Sequence, residues 1–164
     1  MDSEGGRQVG GKTLLAYISA GGATEEYAQI ISDVLRSRGH DVDLVNLKRE
    51  KAPDLTPYAN VVLGTGVRMA MVYRKGKKFL GRSDLAGKSL AVYLSSGIAI
   101  EEPGKAREKF LTPLIERNGL APVMCDALPG KAPGGPGGKL KDTTDADAAR
   151  KWAEKLADRL GGAG

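Results

Sequence analysis

The chain has 164 residues, 41% of them hydrophobic, which suits one domain with a substantial core. Its 25 Lys and Arg against 20 Asp and Glu give a net charge of +5, a balance that admits an acidic or anionic partner without requiring one. A single Cys and a single His exclude an internal disulfide and multi-Cys or multi-His metal motifs. No apolar run nears the ~20 residues of a membrane span.

Residues 1–11 read as a disordered lead-in without the apolar stretch of a signal peptide, so a cytoplasmic protein is expected. They hold a Walker A-like pattern, Gly6 through Gly11-Lys12-Thr13. That motif needs a strand before it and a helix after it. Here a terminus precedes it and a strand-length run, Lys12 to Ile18, follows, which argues against ATP binding.

The run leads into a short loop, Ser19-Ala20-Gly21-Gly22-Ala23-Thr24. Apolar residues at helical spacing follow over 25–35. Two glycines let the backbone turn tightly and approach a ligand. The free N–H groups of a helix start, with the helix dipole, favour an anion there. Ser19 and Thr24 add hydroxyls, and the loop contains no Lys or Arg. A phosphate would therefore be held by N–H and O–H groups alone. The plainer reading makes Thr24 a helix N-cap and the glycines a turn.

Arg36-Ser37-Arg38-Gly39 is a helix stop, and His40 beyond it is expected in a surface turn. Residues 41–47 alternate as a half-buried strand, residues 52–58 form a connector, and residues 60–64 are a third strand. Thr65-Gly66-Val67-Arg68-Met69 open the loop leaving it. A basic helix is expected over 74–80, a fourth strand over 88–94, and an exit loop through Ser95-Ser96-Gly97-Ile98 to Pro103. A helix over 104–118 and a fifth strand over 121–128 follow, with Cys125 read as a small buried hydrophobe. A Gly- and Pro-rich loop occupies 129–141. Thr144 to Asp147 resembles a capping box opening a last helix, with Ala149, Trp152, Ala153, Leu156 and Leu160 facing inward, before a tail at 161–164.

Strands alternating with helices imply right-handed crossovers. The fold class is α/β: a doubly wound five-stranded parallel sheet with helices on both faces over residues 12–160. In such sheets ligands bind beyond the C-terminal strand ends, at the switch in strand order. With the order 2-1-3-4-5, the loops at 19–24, 65–71 and 95–101 meet there.

The Ser19–Glu25 stretch resembles the flavodoxin phosphate loop, Ser/Thr-x-Thr-Gly-x-Thr followed by Glu, at Ser19, Gly22, Thr24 and Glu25. Gly21 departs where that family often has Thr, and Ala23 where it often has Asn. The resemblance implies flavin mononucleotide (FMN) as cofactor, phosphate contacts from residues 19–24, and ring contacts from Thr65 to Met69 and Ser95 to Ile98. It also implies electron transfer with a redox partner protein, with no catalytic acid–base pair, no metal and no nucleic acid. Flavodoxins usually stack aromatics on the flavin and are acidic. Here the first stacking position falls near Arg68 and Met69, the second loop has no aromatic, and the chain is basic. The 61–69 stretch, the 95–103 loop and the 142–153 stretch more narrowly resemble the flavodoxin-like protoporphyrinogen oxidases. Their late helical insertion corresponds to residues 131–139, which have no apolar face. An electron carrier is the leading reading. The alternatives are a flavin-dependent oxidoreductase, related to those oxidases or to flavin reductases, and a non-redox binding module with this fold.

Overall fold

The computed structural model describes residues 12–19, 22–68, 71–130, 132–133, 140–141 and 144–160. Five long strands run parallel, four of them from short apolar sequences: β1 (Lys12–Ile18), β2 (Val42–Asn46), β5 (Ser89–Ser96) and β6 (Met124–Pro129). The fifth, β3 (Tyr58–Arg68), lies at the centre, and the order is β2-β1-β3-β5-β6. Counting the five parallel strands alone, this is the expected 2-1-3-4-5 order.

One difference concerns the end of β3. Residues 65–68, expected in a loop, continue the strand, because Thr65 and Gly66 pair with Leu94 and Ser95 of β5. The chain then returns as β4 (Met71–Val72), antiparallel to β3, with Val67 opposite Val72 and Arg68 opposite Met71.

Both sheet faces are covered, as the continuous apolar strand sequences require. Leu14, Ala16, Ile18, Leu63 and Leu94 meet α2 (Arg74–Leu80) and the helical segment from Pro103 to Arg117 on one face. That segment comprises α3 (Pro103–Ala106), a π turn (Arg107–Leu111) and α4 (Thr112–Arg117). Pro113 explains the widened turn, since it cannot donate to the carbonyl four residues back and its ring crowds that carbonyl. Leu15, Tyr17, Val62 and Tyr93 meet α1 (Ala23–Ser37) and α5 (Ala146–Arg159) on the other face. Each leucine buried in these layers contributes about 1.5–3 kcal/mol relative to exposure.

All five residues expected to face inward from the last helix are buried. The Asp145 carboxylate caps α5 by accepting from the Ala148 N–H at 3.0 Å. Trp152 also donates its indole N–H to Asp126 at 2.8 Å. His40 is not a surface residue: the turn after α1 tucks against α5, burying the ring, whose Nε2 lies 3.2 Å from the Ala157 carbonyl. Cys125 is half-buried, and burial pushes its thiol up to about 11, so it is not poised as a nucleophile. Of the Gly- and Pro-rich loop, a short hairpin of β7 (Ala132–Pro133) and β8 (Leu140–Lys141) is described. The lead-in at 1–11 and the tail at 161–164 lie outside the described residues. No described helix is long and apolar enough to cross a membrane.

Candidate functional site

The site forms where β3 loses its side chains. Along the face covered by α1, β3 presents Val62, then Gly64, then Gly66, since alternate residues share a face. The missing side chains admit two neighbours. A Cβ at Gly64 would overlap the Tyr93 ring, so that ring lies directly on the strand. A Cβ at Gly66 would stand 3.3 Å from the Tyr73 ring, 3.4 Å from Thr24 Oγ1 and 3.7 Å from Ser95 Oγ. Gly66 is thus the meeting point of the start of α1, the end of β5 and the residue after β4.

The start of α1 is shaped by Gly22, whose φ of 89° is left-handed and favours glycine. Its N–H donates to Ser19 Oγ at 2.9 Å, tying the residue after β1 to the start of α1. The first intrahelical bond is Glu26 N–H to the Gly22 carbonyl, at 2.9 Å. The N–H groups of Ala23, Thr24 and Glu25 precede it and so have no helical acceptor. With a 15-residue helix behind them, they form a site suited to an anion. The first turn also carries Glu25, whose carboxylate accepts from the Tyr17 hydroxyl at 3.2 Å. Burial first, then the Glu25 charge and hydrogen bond, raise the Tyr17 hydroxyl above its ordinary range.

Thr24 is not the N-cap that the plainer sequence reading made it. Gly22 holds that position with no side-chain cap, and Thr24 lies inside the first turn. Its hydroxyl meets Ser95 Oγ at 2.6 Å, a buried bond between residues 71 apart in sequence. One hydroxyl donates to the other, so the pair retains one further O–H with no acceptor among the described residues. Tyr93, fully buried, donates its hydroxyl to the Thr24 carbonyl at 2.8 Å and fixes the same turn from below. Burial holds this phenol protonated, raising it well above its ordinary range, so it is a permanent donor.

Two further segments flank this centre. Thr65 faces α2 instead, donating its hydroxyl to the Gly66 carbonyl at 3.1 Å beneath Gly76. Val67 and Ile98 pack partly into the α2-side core. Ser96 is buried and its Oγ accepts from the Ile98 N–H at 3.2 Å, shaping the turn around Gly97. The β3–β4 hairpin exposes Met71 and the 98–100 turn exposes Ile100, at 58% and 40%, the two large exposed hydrophobics among the described residues.

Of the residues singled out in the sequence, the structure brings Ser19, Gly22, Ala23, Thr24, Gly66, Ser95 and Ser96 to one rim of the sheet. Ala20, Gly21, Met69 and the side chain of Arg68 lie outside the described residues; the Arg68 backbone ends β3. The sequence placed Met71 in the 65–71 loop but singled out neither it nor Tyr73 and Tyr93 as site residues. The Tyr93 position was legible only as strand hydrophobicity, and Tyr73 became visible once Val72 was seen to pair back on Val67. No group of three or more His, Cys, Asp or Glu suited to a metal occurs among the described residues.

A family model described as "Flavodoxin domain" matches residues 14–131. A search of curated proteins finds no match. Among solved structures, oxidised flavodoxin 2 from Bacillus cereus superposes with a TM-score of 0.66 at 23% identity, covering 91% of this chain and 99% of that one. A flavodoxin from Streptococcus pneumonia TIGR4 gives 0.62 at 21% identity, covering 90% and 99%. Rubredoxin oxygen:oxidoreductase from Desulfovibrio gigas gives 0.64 at 15% identity, covering 91% of this chain but 35% of that longer one.

Proposed function

The chain belongs to the flavodoxin family, and we propose that it works as an electron carrier, binding FMN at the rim just described. The observation that carries this is the Thr24–Ser95 hydroxyl pair set against the open N–H groups of α1. It offers a phosphate one hydroxyl proton and several backbone donors, in a turn already fixed by Ser19 and Tyr93. Such preset donors need no rearrangement on binding, which favours a compact anion.

FMN supplies the redox chemistry when bound, and the protein supplies binding, orientation and electrostatics. Ser19, Gly22, Ala23 and Thr24 would hold the phosphate, with Ala20 and Gly21 in the same loop. The backbone of Thr65 to Met69 and the turn from Ser95 to Ile98 would border the ring. Met71 and Ile100 offer apolar cover at the two edges where flavodoxins more often use aromatics. Tyr73, beside Gly66, is the aromatic nearest the centre of the rim. Electron transfer requires no proton donor at a fixed atom, in keeping with a site built from hydroxyls, amides and apolar groups.

The partner is a redox protein, and the net charge of +5 favours one with an acidic docking face. A cytoplasmic location fits the single half-buried Cys125. The test compares FMN with riboflavin, which lacks the phosphate, by flavin fluorescence quenching. Riboflavin should bind at least about 100-fold more weakly, corresponding to roughly 3 kcal/mol of charge-assisted bonds. Equal affinities would remove residues 19–24 from the site.

A further inference from the structure

A second cavity lies outside the flavin rim and shares no residue with it. It is a groove of about 550 Å³ between α2 and the connector that follows β2. Two ties hold its walls apart at a set distance. Lys75 Nζ donates to the Leu47 carbonyl at 2.8 Å, and Arg82 Nη2 donates to the Pro53 carbonyl at 3.3 Å. The Arg82 guanidinium is itself fixed by Asp84, at 2.9 and 2.6 Å, and stands 5.6 Å over the Phe79 ring. Phe79 and Leu47 are anchored in the core and supply the apolar floor.

The rim is strongly cationic. Lys48, Arg49, Lys51 and Lys78 line the groove, and none forms an ion pair among the described residues. Lys75 adds to them, Arg82 is balanced by Asp84, and Glu50 is the one carboxylate in the lining. Like charges gathered around one concavity repel one another, and an anion entering it relieves that repulsion.

We propose that this groove binds a small organic anion, an apolar body bearing one or two acidic groups. The volume falls within the range of about 300–1,000 Å³ typical of small-molecule pockets, and Leu47, Ala52 and Phe79 give the charged lining an apolar side. An inorganic ion alone would leave most of the space and the Phe79 floor unused, since a water-sized species takes about 30 Å³. The two ties preform the walls, so little ordering is lost on binding. This inference does not depend on the flavin reading.

The test is calorimetric titration of the full chain, without FMN and with rising FMN up to saturation, with 1-anilinonaphthalene-8-sulfonate as the probe and methanesulfonate as its head group alone. The dye should bind at a single site, weaken with salt, and bind at least about tenfold tighter than methanesulfonate. The paired substitutions Lys51→Glu and Lys78→Glu, both at exposed positions, should weaken the dye about tenfold or more while leaving FMN affinity and Tm unchanged. Undiminished dye binding in that variant would overturn the assignment. So would loss of dye binding in step with FMN occupancy, which would place the dye in the flavin site, or equal binding of methanesulfonate, which would reduce the groove to a charged patch.

Discussion

Gly64 and Gly66 stand two residues apart on one face of β3, and an added methyl should affect them in opposite ways. At Gly64 the methyl would occupy the space of the Tyr93 ring, which must then move. Its displacement would forfeit the 2.8 Å bond to the Thr24 carbonyl and disturb the edge contacts to Tyr27 and Trp152, whose ring centroids lie 6.4 and 5.7 Å away. Overpacking costs about 1–3 kcal/mol, and an orphaned buried hydroxyl costs a similar amount. These losses share one ring and do not add fully, so Gly64→Ala should cost about 2–4 kcal/mol. For a chain of this size that is a drop in Tm of roughly 4–16 °C. At Gly66 the nearest contacts are 3.3 Å or longer, and the closest is the half-buried Tyr73 ring, which can yield. Gly66→Ala should shift stability by under about 1 kcal/mol. The same methyl abuts Thr24 Oγ1 and Ser95 Oγ, however, and should deny a ligand one charge-assisted hydrogen bond. That is about 1.5–3 kcal/mol, or roughly 10- to 150-fold in FMN affinity. Thermal melts of the apo-proteins and FMN titrations of both variants make the comparison. A Gly66→Ala protein that melts as early as Gly64→Ala yet binds FMN normally would refute the reasoning.

Gly22→Val should destabilise the apo-protein by about 2 kcal/mol in urea melts, because a β-branched residue resists the φ of 89°; Gly22→Asn, which tolerates that region, should recover most of the loss. Arg68→Ala should lower the midpoint potential of bound FMN in spectroelectrochemical titration. A single solvent-screened charge is worth on the order of 1 kcal/mol, or roughly 40 mV for one electron. Arg68→Lys should keep the charge and most of that shift. Cys125, with its thiol pushed up to about 11, should be alkylated by iodoacetamide at pH 7 about 100-fold more slowly than a free thiol. Its rate should climb about tenfold per pH unit toward pH 11.

The elements themselves were legible along the chain. Apolar runs of strand length, glycine stops after basic last turns and the capping residues near Asp145 are local signals, and each reports on its own few residues. The spacing of the 19–24 loop is equally local, and it singled out Ser19, Gly22 and Thr24 before any contact was known. Tertiary structure decided what those residues touch. Thr24 reads as an N-cap in isolation, but its partner Ser95 lies 71 positions away and no local pattern announces the pairing. His40 looks like a turn residue because its burial is provided by α5, whose position depends on the sheet order. The glycines of β3 carry no hydrophobic signal, yet their bareness admits Tyr93 and brings α1 close to the strand. The cationic groove likewise joins two segments that sequence reading described only as a connector and a basic helix. Helix and strand signals arise from neighbours in sequence, whereas a site is made by neighbours in space, and those are chosen only when the sheet closes its order.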